Sequence, residues 1–266
     1  MRNKLIKDYF IRLFSSMGVD IGARTPLKHL RDLIYSLHPM DSDNSLIRLG
    51  PDGDGGYLLP DDLEGIKYGF SPGVSDESGF EMALAERGIE VFLADYSVDS
   101  PAEFHERFHF DKKFIGAHSD EKFMTMDQWK SCRIPDYDDD LIMQMDIEGA
   151  EFEALLSISP ELLSQFRIMI IEFHYLQELF HERFFILLSR VFQKLLQSHS
   201  VAHIHPNNCC GSIKGGGLEI PRVAEFTFYR NDRFERKSFA QNFPHTLDRD
   251  NTKKTTLVLP SCWYQQ

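Results

Sequence analysis

Apolar runs and amphipathic segments alternate along the chain from residue 66 onward. Runs of this length predict strands, and the segments between them carry helical spacing of apolar residues. The predicted strands are residues 66–70, 90–94, 113–117, 141–145 and 167–171, and the predicted helices are 80–87, a helix that begins at 151, and 181–197. Alternating units of this kind predict a doubly wound α/β sheet of mostly parallel strands.

The pattern changes near the end of this region. Residues 200–205 and 223–229 read as strands, and the loop between them is rich in Asn and Gly and contains no helix-length segment. Parallel neighbours need a long crossover, so these two strands are predicted to be antiparallel.

The chain before residue 66 predicts helices and a hairpin. Leu5, Ile6, Tyr9, Phe10, Leu13, Phe14 and Met17 recur at helical spacing among basic residues, which indicates an amphipathic helix. The apolar face of this helix packs either on its own domain, on a membrane or on a partner protein. The sequence leaves these alternatives open. A second helix is predicted from Pro26 to about Leu37, with Thr25 as N-cap. Residues 46–49 and 57–59 predict a hairpin around a glycine-rich loop.

Composition narrows the class of protein. With 42% hydrophobic and 26% charged residues, the 266-residue chain is typical of a soluble globular enzyme. A net charge of −12 argues against nucleic acid or an anionic membrane as the main partner. Four cysteines without metal-type spacing indicate reduced thiols, and we expect a cytoplasmic protein without a transmembrane segment.

The segment Asp146–Glu151 points to a functional site. It holds three acidic residues and a glycine directly after the apolar run 141–145. In open α/β sheets, ligands bind at the carboxyl ends of the strands, so these acids are predicted to line a site.

A cofactor site is predicted at the first two strand ends. Asp95 ends the second strand and lies 22 residues beyond Gly73, close to the spacing of the ribose-binding acid in dinucleotide folds. The turn at 71–76 lacks the full G-x-G-x-x-G pattern. It ends at Asp76, and Glu77 follows directly. Such a turn suits a ligand with positive charge, such as the sulfonium and amino groups of S-adenosylmethionine.

These motifs resemble the FkbM-type S-adenosylmethionine-dependent methyltransferases, a class I group. The matching segments are 53–57, 69–74, 146–151, 171–174, 205–208 and 221–228. The resemblance implies a Rossmann-like seven-stranded sheet with the last strand antiparallel, and O-methylation of a hydroxyl on a sugar, glycolipid or secondary metabolite. It divides the chain into an N-terminal helical extension (1–45), a methyltransferase domain (46–230) and a C-terminal tail (231–266). The partner is then a small-molecule or glycan acceptor.

Candidate site residues follow from motif and fold. Cofactor-binding residues are predicted to be Ser71, Gly73, Asp95, Tyr96, His118, Ser119 and Asp146. Candidates for removing the proton of an acceptor hydroxyl are Asp146, Glu172, His174 and His205. Histidine titrates near neutrality, so a histidine is the more natural base.

Two alternatives stay open at the level of sequence. Asp146, Glu172, His174, His205 and Asn208 offer ligand types that suit Mg²⁺ or Mn²⁺. The chain is then either a metal-assisted methyltransferase or another metal-dependent α/β enzyme, such as a hydrolase or a nucleotide-sugar enzyme. The second alternative is a non-catalytic binding module on the same fold. The acceptor and the oligomeric state are not readable from the sequence.

Overall fold

A computed structural model describes residues 22–74, 77–235 and 238–265, together with Tyr9 and Phe14. Most of the predicted amphipathic N-terminal segment, and Asp76 of the first turn, lie outside the described residues. The helices are α1 Leu27–Ser36, α2 Gly79–Ala85, α3 Met126–Arg133, α4 Glu151–Ser157, α5 Pro160–Gln165 and α6 Glu182–Leu195.

Fifteen strands are present in the described part of the chain. They are β1 Met40–Asp41, β2 Leu46–Leu49, β3 Tyr57–Pro60, β4 Tyr68–Pro72, β5 Glu90–Ala94, β6 Phe108–Asp111, β7 Phe114–Ile115, β8 Phe123–Met124, β9 Leu141–Met145, β10 Phe166–Phe173, β11 His199–Pro206, β12 Ser212–Gly215, β13 Leu218–Pro221, β14 Ala224–Arg230 and β15 Ser238–Phe239.

Seven of these strands form one sheet, as predicted. Its order is β11-β14-β10-β9-β4-β5-β6. The strands β6, β5, β4, β9 and β10 are parallel, and β14 runs antiparallel to both of its neighbours. The carboxyl ends of the five parallel strands therefore meet at one edge, with the amino end of β14 beside them.

Strand alternation divides the core into two layers. Met143 and Ile171 face one apolar cluster, which also contains buried residues of α1, α3, α4 and α6. Their neighbours Ile142 and Ile170 face the other cluster, which contains α2 and the β2–β3 hairpin. This arrangement follows from the period of two along a strand, and it explains why β9 and β10 are buried throughout.

The sheet's third strand differs from the prediction of residues 113–117. The main-sheet strand is β6, while Phe114–Ile115 pairs with Phe123–Met124 in a separate two-stranded ribbon. β6 is an edge strand, half-buried along its length, and its sequence FHFD alternates aromatic and polar side chains. An edge strand of this kind has no continuous apolar run, so the more apolar segment after it gave the stronger signal.

The predicted cap of the first described helix is also wrong. Pro26 occupies the N-cap of α1. The Thr25 hydroxyl instead donates a 2.7 Å hydrogen bond to the Leu179 carbonyl, which ties the chain to a segment 154 residues away.

In the described part of the chain, no helix is long and apolar enough to cross a membrane.

Candidate functional site

Three strand ends are held together around Gly73. Its amide donates to the Ala94 carbonyl at 3.0 Å, and the Asp146 amide donates to the Pro72 carbonyl at 3.2 Å. Gly73 has a φ of +92°, and a Cβ at this position would lie 1.5 Å from the Asp146 carbonyl oxygen. A glycine is therefore required both for the backbone conformation and for the close approach of β4 and β9.

A cavity of about 540 Å³ opens beside this junction. Its lining consists of Gly73, Ala94, Asp95, Ser97, Phe114, Ile115, Phe123, Asp146, Ile147, Glu148 and Ala150. One wall is polar, because Asp95 accepts 2.6 Å hydrogen bonds from the amide and the hydroxyl of Ser97. The facing wall is apolar. A site of this size and mixed polarity suits a ligand with a flat apolar ring and hydroxyl groups.

The apolar wall is the part of the cavity that the sequence analysis missed. Phe114, Ile115 and Phe123 come from the small β7–β8 ribbon. The sequence signal for this wall is the apolar run at 113–117, although a run of this kind predicts a core strand.

Four predicted cofactor residues lie outside this lining. The Tyr96 ring packs 5.4 Å from the Phe114 ring, and the His118 ring stacks 5.1 Å from the Phe123 ring, so both support the apolar wall from behind. The Ser119 hydroxyl accepts from the Thr125 amide at 3.3 Å. Ser71 is buried below the site.

A narrow cleft of about 60 Å³ adjoins the cavity and shares Gly73 and Asp146 with it. Its lining is rich in acidic residues and consists of Asp54, Gly55, Tyr57, Gly73, Glu77, Phe80, Glu81, Gln144 and Asp146. Ser71 is not part of this lining, but its hydroxyl donates to Glu81 at 2.5 Å and lies 2.9 Å from Gln144 Oε1.

The turn after β9 is organised by Glu151. This side chain is fully buried, and its Oε1 accepts from the amides of Ile147 (3.2 Å) and Gly149 (2.9 Å). The same oxygen lies 3.1 Å from Nδ1 of His174. Glu151 therefore fixes both the turn and the orientation of the imidazole, which lies at the end of β10.

Two residues of this region have strained backbones. Glu148 has a φ of +54° and Tyr175 a φ of +58°. The Tyr175 ring covers Gly149, where a Cβ would come within 2.3 Å of the ring. Non-glycine residues persist in the left-handed region only where the surrounding structure holds them there. Such residues cluster at functional sites.

Residues 124–194 match the family model described as the methyltransferase FkbM domain. The resemblance to FkbM methyltransferases is confirmed. The matched segment is 71 of 266 residues, and it contains β9, the Asp146–Glu151 turn, β10 and His174. A methyltransferase domain implies S-adenosylmethionine as the methyl donor.

Other comparisons add little. Among curated proteins, no sequence matches this chain significantly. Among solved structures, it is similar to a 16S rRNA (adenine(1408)-N(1))-methyltransferase variant from Catenulisporales acidiphilia. The identity is 10%, the match covers 69% of this chain and 98% of that chain, and the TM-score is 0.30. A likeness this weak says nothing about the substrate of this chain.

Burial raises the pKa of the two central carboxyls in the matched segment. It raises the pKa of Asp146 to about 6, while the charge of His174 acts in the opposite direction. Burial and the neighbouring Asp146 raise the pKa of Glu172 well above its ordinary value, although Asn207 donates to it at 2.7 Å. Glu172 is therefore the protonated partner of the pair, and Asp146 is the one that ionises.

His174 is surrounded by carboxylates. Burial alone would lower its pKa, but the hydrogen bond with Glu151 and the charges of Glu151, Asp146 and Glu148 together raise it. Its Nε2 lies 3.3 Å from Glu148 Oε2. The imidazole thus lies between two acids that favour its cationic form, which makes it a weaker candidate for the base than a histidine without such neighbours.

The five residues predicted as metal ligands do not all converge. Among the described residues, Asp146, Glu148 and His174 place ligand atoms within 4.8 Å of one another. Asn208 is used elsewhere, because its Oδ1 accepts from the amide (2.8 Å) and hydroxyl (3.0 Å) of Thr252. His205 lies against the C-terminal tail. Glu148, which belongs to the converging group, was not among the residues predicted as ligands.

Proposed function

We propose that this chain transfers a methyl group from S-adenosylmethionine to a hydroxyl group of a sugar, glycolipid or secondary metabolite. The observation that carries the proposal is the position of Asp146. It lines both the cofactor-sized cavity and the acidic cleft, and its carboxyl ionises near pH 6. Asp146 is thus a base at the junction of two binding spaces.

The cavity offers groups for each part of the donor. Asp95, oriented by Ser97, would accept hydrogen bonds from ribose hydroxyls, and Phe114 and Phe123 would pack on the adenine ring. The acidic residues of the adjoining cleft, among them Glu81 and Asp54, would complement the positive amino and sulfonium groups. The bound donor supplies an electrophilic methyl carbon on sulfur.

The chain's own contribution to the reaction is alignment and proton removal. The acceptor hydroxyl would donate its proton to the Asp146 carboxylate as its oxygen forms the new bond to carbon and the carbon–sulfur bond breaks. A well-placed base is worth about 10²–10⁴-fold in rate. In this proposal His174 is not the base; its positive charge favours the ionised form of Asp146 and holds Glu148 in place.

Calorimetry tests the cofactor assignment. S-Adenosylhomocysteine should bind the wild-type chain, and Asp95→Ala should weaken binding about 10- to 100-fold, since hydrogen bonds to a charged group contribute about 1.5–3 kcal/mol. Asp99→Ala is the matched control, because Asp99 is exposed, is four residues further along, and pairs with Lys112 outside the cavity. Binding of neither donor nor product by folded protein would remove the proposal.

A second assay tests the acceptor chemistry. With donor labelled in its methyl group, label should pass to hydroxyl compounds and appear as an ether, which resists the mild base that cleaves methyl esters. Asp146→Asn should retain product binding and lose transfer. Label found only on nitrogen or in a base-labile ester would contradict O-methylation as an ether.

A metal-assisted form of the reaction has its own support in the convergence of Asp146, Glu148 and His174. A divalent ion there would lower the pKa of the acceptor hydroxyl. Excess chelator would then abolish transfer, one added divalent ion would restore it, and Glu148→Gln would raise the ion concentration required. Full activity in chelator would leave Asp146 as an unassisted base.

A further inference from the structure

The C-terminal tail forms one wall of a second pocket. We call residues 243–259 the strap; they lie outside the region that resembles the family. Asp248 anchors the strap to β11, because its Oδ1 is 2.8 Å from Nε2 of His203. Asp248 Oδ2 also accepts from the His245 amide at 2.7 Å, and Asn208 holds Thr252. The strap is therefore attached to the sheet at separate points along its length.

A cavity of about 310 Å³ lies between the strap and the end of β11. Its floor is apolar and consists of Pro206, Pro244, Leu257 and Leu259. Its polar residues include His205 and Arg249. An apolar surface with a few polar groups is the usual composition of a small-molecule site, and this volume accommodates a single ring.

His205 is a polar residue of this pocket whose ring nitrogens make no hydrogen bond among the described residues. It is only 8% exposed, and its Nδ1 lies 3.5 Å from Asp248 Oδ1. Its Nε2 is buried and has no hydrogen-bond partner among the described residues. Leaving a buried polar atom unpaired costs about 1–3 kcal/mol, which a ligand hydroxyl would recover.

Arg249 and Asp250, two charged side chains of the pocket, already have polar partners inside the protein. Arg249 lies 3.6 Å from Asp52 and also donates to the Asp248 carbonyl at 2.8 Å. The Thr256 hydroxyl donates to Asp250 at 2.6 Å. With acid and base satisfied inside the protein, the pocket favours an uncharged ligand over an anion or a cation.

A row of side chains connects the pocket to the reaction centre. In the sheet, His205 is the cross-strand partner of Glu225, and Glu225 is the partner of Glu172. Two interstrand spacings separate the ends of this row, about 10 Å. Asn251 of the strap also donates to Glu225 at 2.7 Å and to Asp54 of the acidic cleft at 3.0 Å.

We propose that the strap pocket binds a neutral hydroxylated ring, of the size of one pyranose, that belongs to the methyl acceptor. One face of the ring packs on Leu257 and Pro206, and a ring hydroxyl hydrogen-bonds to His205. Binding there sets which hydroxyl of the acceptor reaches Asp146. The role in acceptor choice rests on the proposed function, whereas ring binding itself does not.

Saturation-transfer NMR with methyl hexopyranosides tests the pocket directly. The probes are the methyl α-glucoside, α-galactoside and α-mannoside at millimolar concentration. Leu257→Trp fills the pocket, and Val258→Trp is the matched control because Val258 is 48% exposed and is not part of the lining. A circular dichroism spectrum and a urea denaturation midpoint equal to those of the wild type show that each variant is folded.

The expected result is saturation of at least one hexoside by the wild-type chain and by Val258→Trp, with loss of at least fivefold in Leu257→Trp. His205→Phe should weaken the same signal, and His205→Gln, which keeps a polar group there, should weaken it less. No signal from any hexoside, or equal signals from both tryptophan variants, would overturn the proposal. Hexoside binding without S-adenosylhomocysteine binding would leave the pocket and remove the proposed function.

Discussion

Replacement of Gly73 by alanine separates the effect of backbone conformation from the effect of close approach. The added methyl would lie 1.5 Å from the Asp146 carbonyl oxygen and 2.5 Å from its carbon. A carbon–oxygen contact needs about 3.3 Å, so the ends of β4 and β9 must move apart by roughly 1.8 Å.

The cost follows from what that movement breaks. The hydrogen bonds from Gly73 to Ala94 and from Asp146 to Pro72 are both lost, at about 1 kcal/mol each. The positive φ adds about 1–2 kcal/mol for any residue with a Cβ. We therefore expect Gly73→Ala to lower the free energy of unfolding by about 3–4 kcal/mol.

Gly88→Ala is the matched control. Gly88 has a φ of +85°, and a Cβ there would meet nothing within 4 Å. This variant bears only the conformational cost, so we expect a loss of about 1–2 kcal/mol. Urea denaturation followed by circular dichroism measures both variants under the same conditions.

Ligand binding gives the second readout. Gly73 and Asp146 line the cavity, and their displacement should weaken ligand binding about 10- to 100-fold, the equivalent of losing one hydrogen bond to a charged group at about 1.5–3 kcal/mol. Calorimetry with S-adenosylhomocysteine should show this loss for Gly73→Ala and a wild-type Kd for Gly88→Ala. Equal destabilisation by the two variants, with Kd for Gly73→Ala within threefold of wild type, would refute the reasoning.

Three further predictions concern buried charges. Asp62 pairs with Arg167 and Arg233. Asp62→Asn should therefore lower the free energy of unfolding, measured by urea denaturation, by about 3–5 kcal/mol. A loss below about 1 kcal/mol would count against a buried network. Burial lowers the pKa of His199 from its ordinary value of 6.5 to about 4. The stability that the neutral imidazole provides is therefore fully present above about pH 6.5, the pKa in the unfolded chain, and is lost as the pH falls towards 4. Between pH 7.5 and 5, wild type should lose about 2 kcal/mol more than His199→Gln, and equal losses would contradict this. Because the pKa of Asp146 is about 6, kcat/KM for methyl transfer should rise with pH through that value, and a flat profile from pH 5 to 7 would exclude Asp146 as the base.

The sequence predicted the buried part of the fold well. The strands 90–94 and 141–145 have the predicted bounds, because both are mainly apolar runs between turns. The antiparallel pairing of β11 with β14 followed from the short connection between them. The edge strand β6 was missed because half-buried positions alternate in polarity and leave a weak pattern.

The candidate site, like the fold, was predicted from the sequence only in part. Gly73, Asp95 and Asp146 were predicted from their positions at strand ends, and all three line the cavity, because the carboxyl ends of parallel strands always share one edge. The division of labour between Asp146, Glu172 and His174 was not readable, since it depends on burial and on which carboxylates surround each group.

The sequence by itself determined the order of the elements, the sheet class and the strand ends that carry chemistry, because these depend on local periodicity and spacing. Only the tertiary structure decided what those ends face. It placed the β7–β8 ribbon on the cavity beside Gly73 and brought Asp248 to His203, 45 residues away. Such contacts arise from packing between distant segments, which leaves no local pattern, so the pocket between the strap and β11 became visible only in the folded chain.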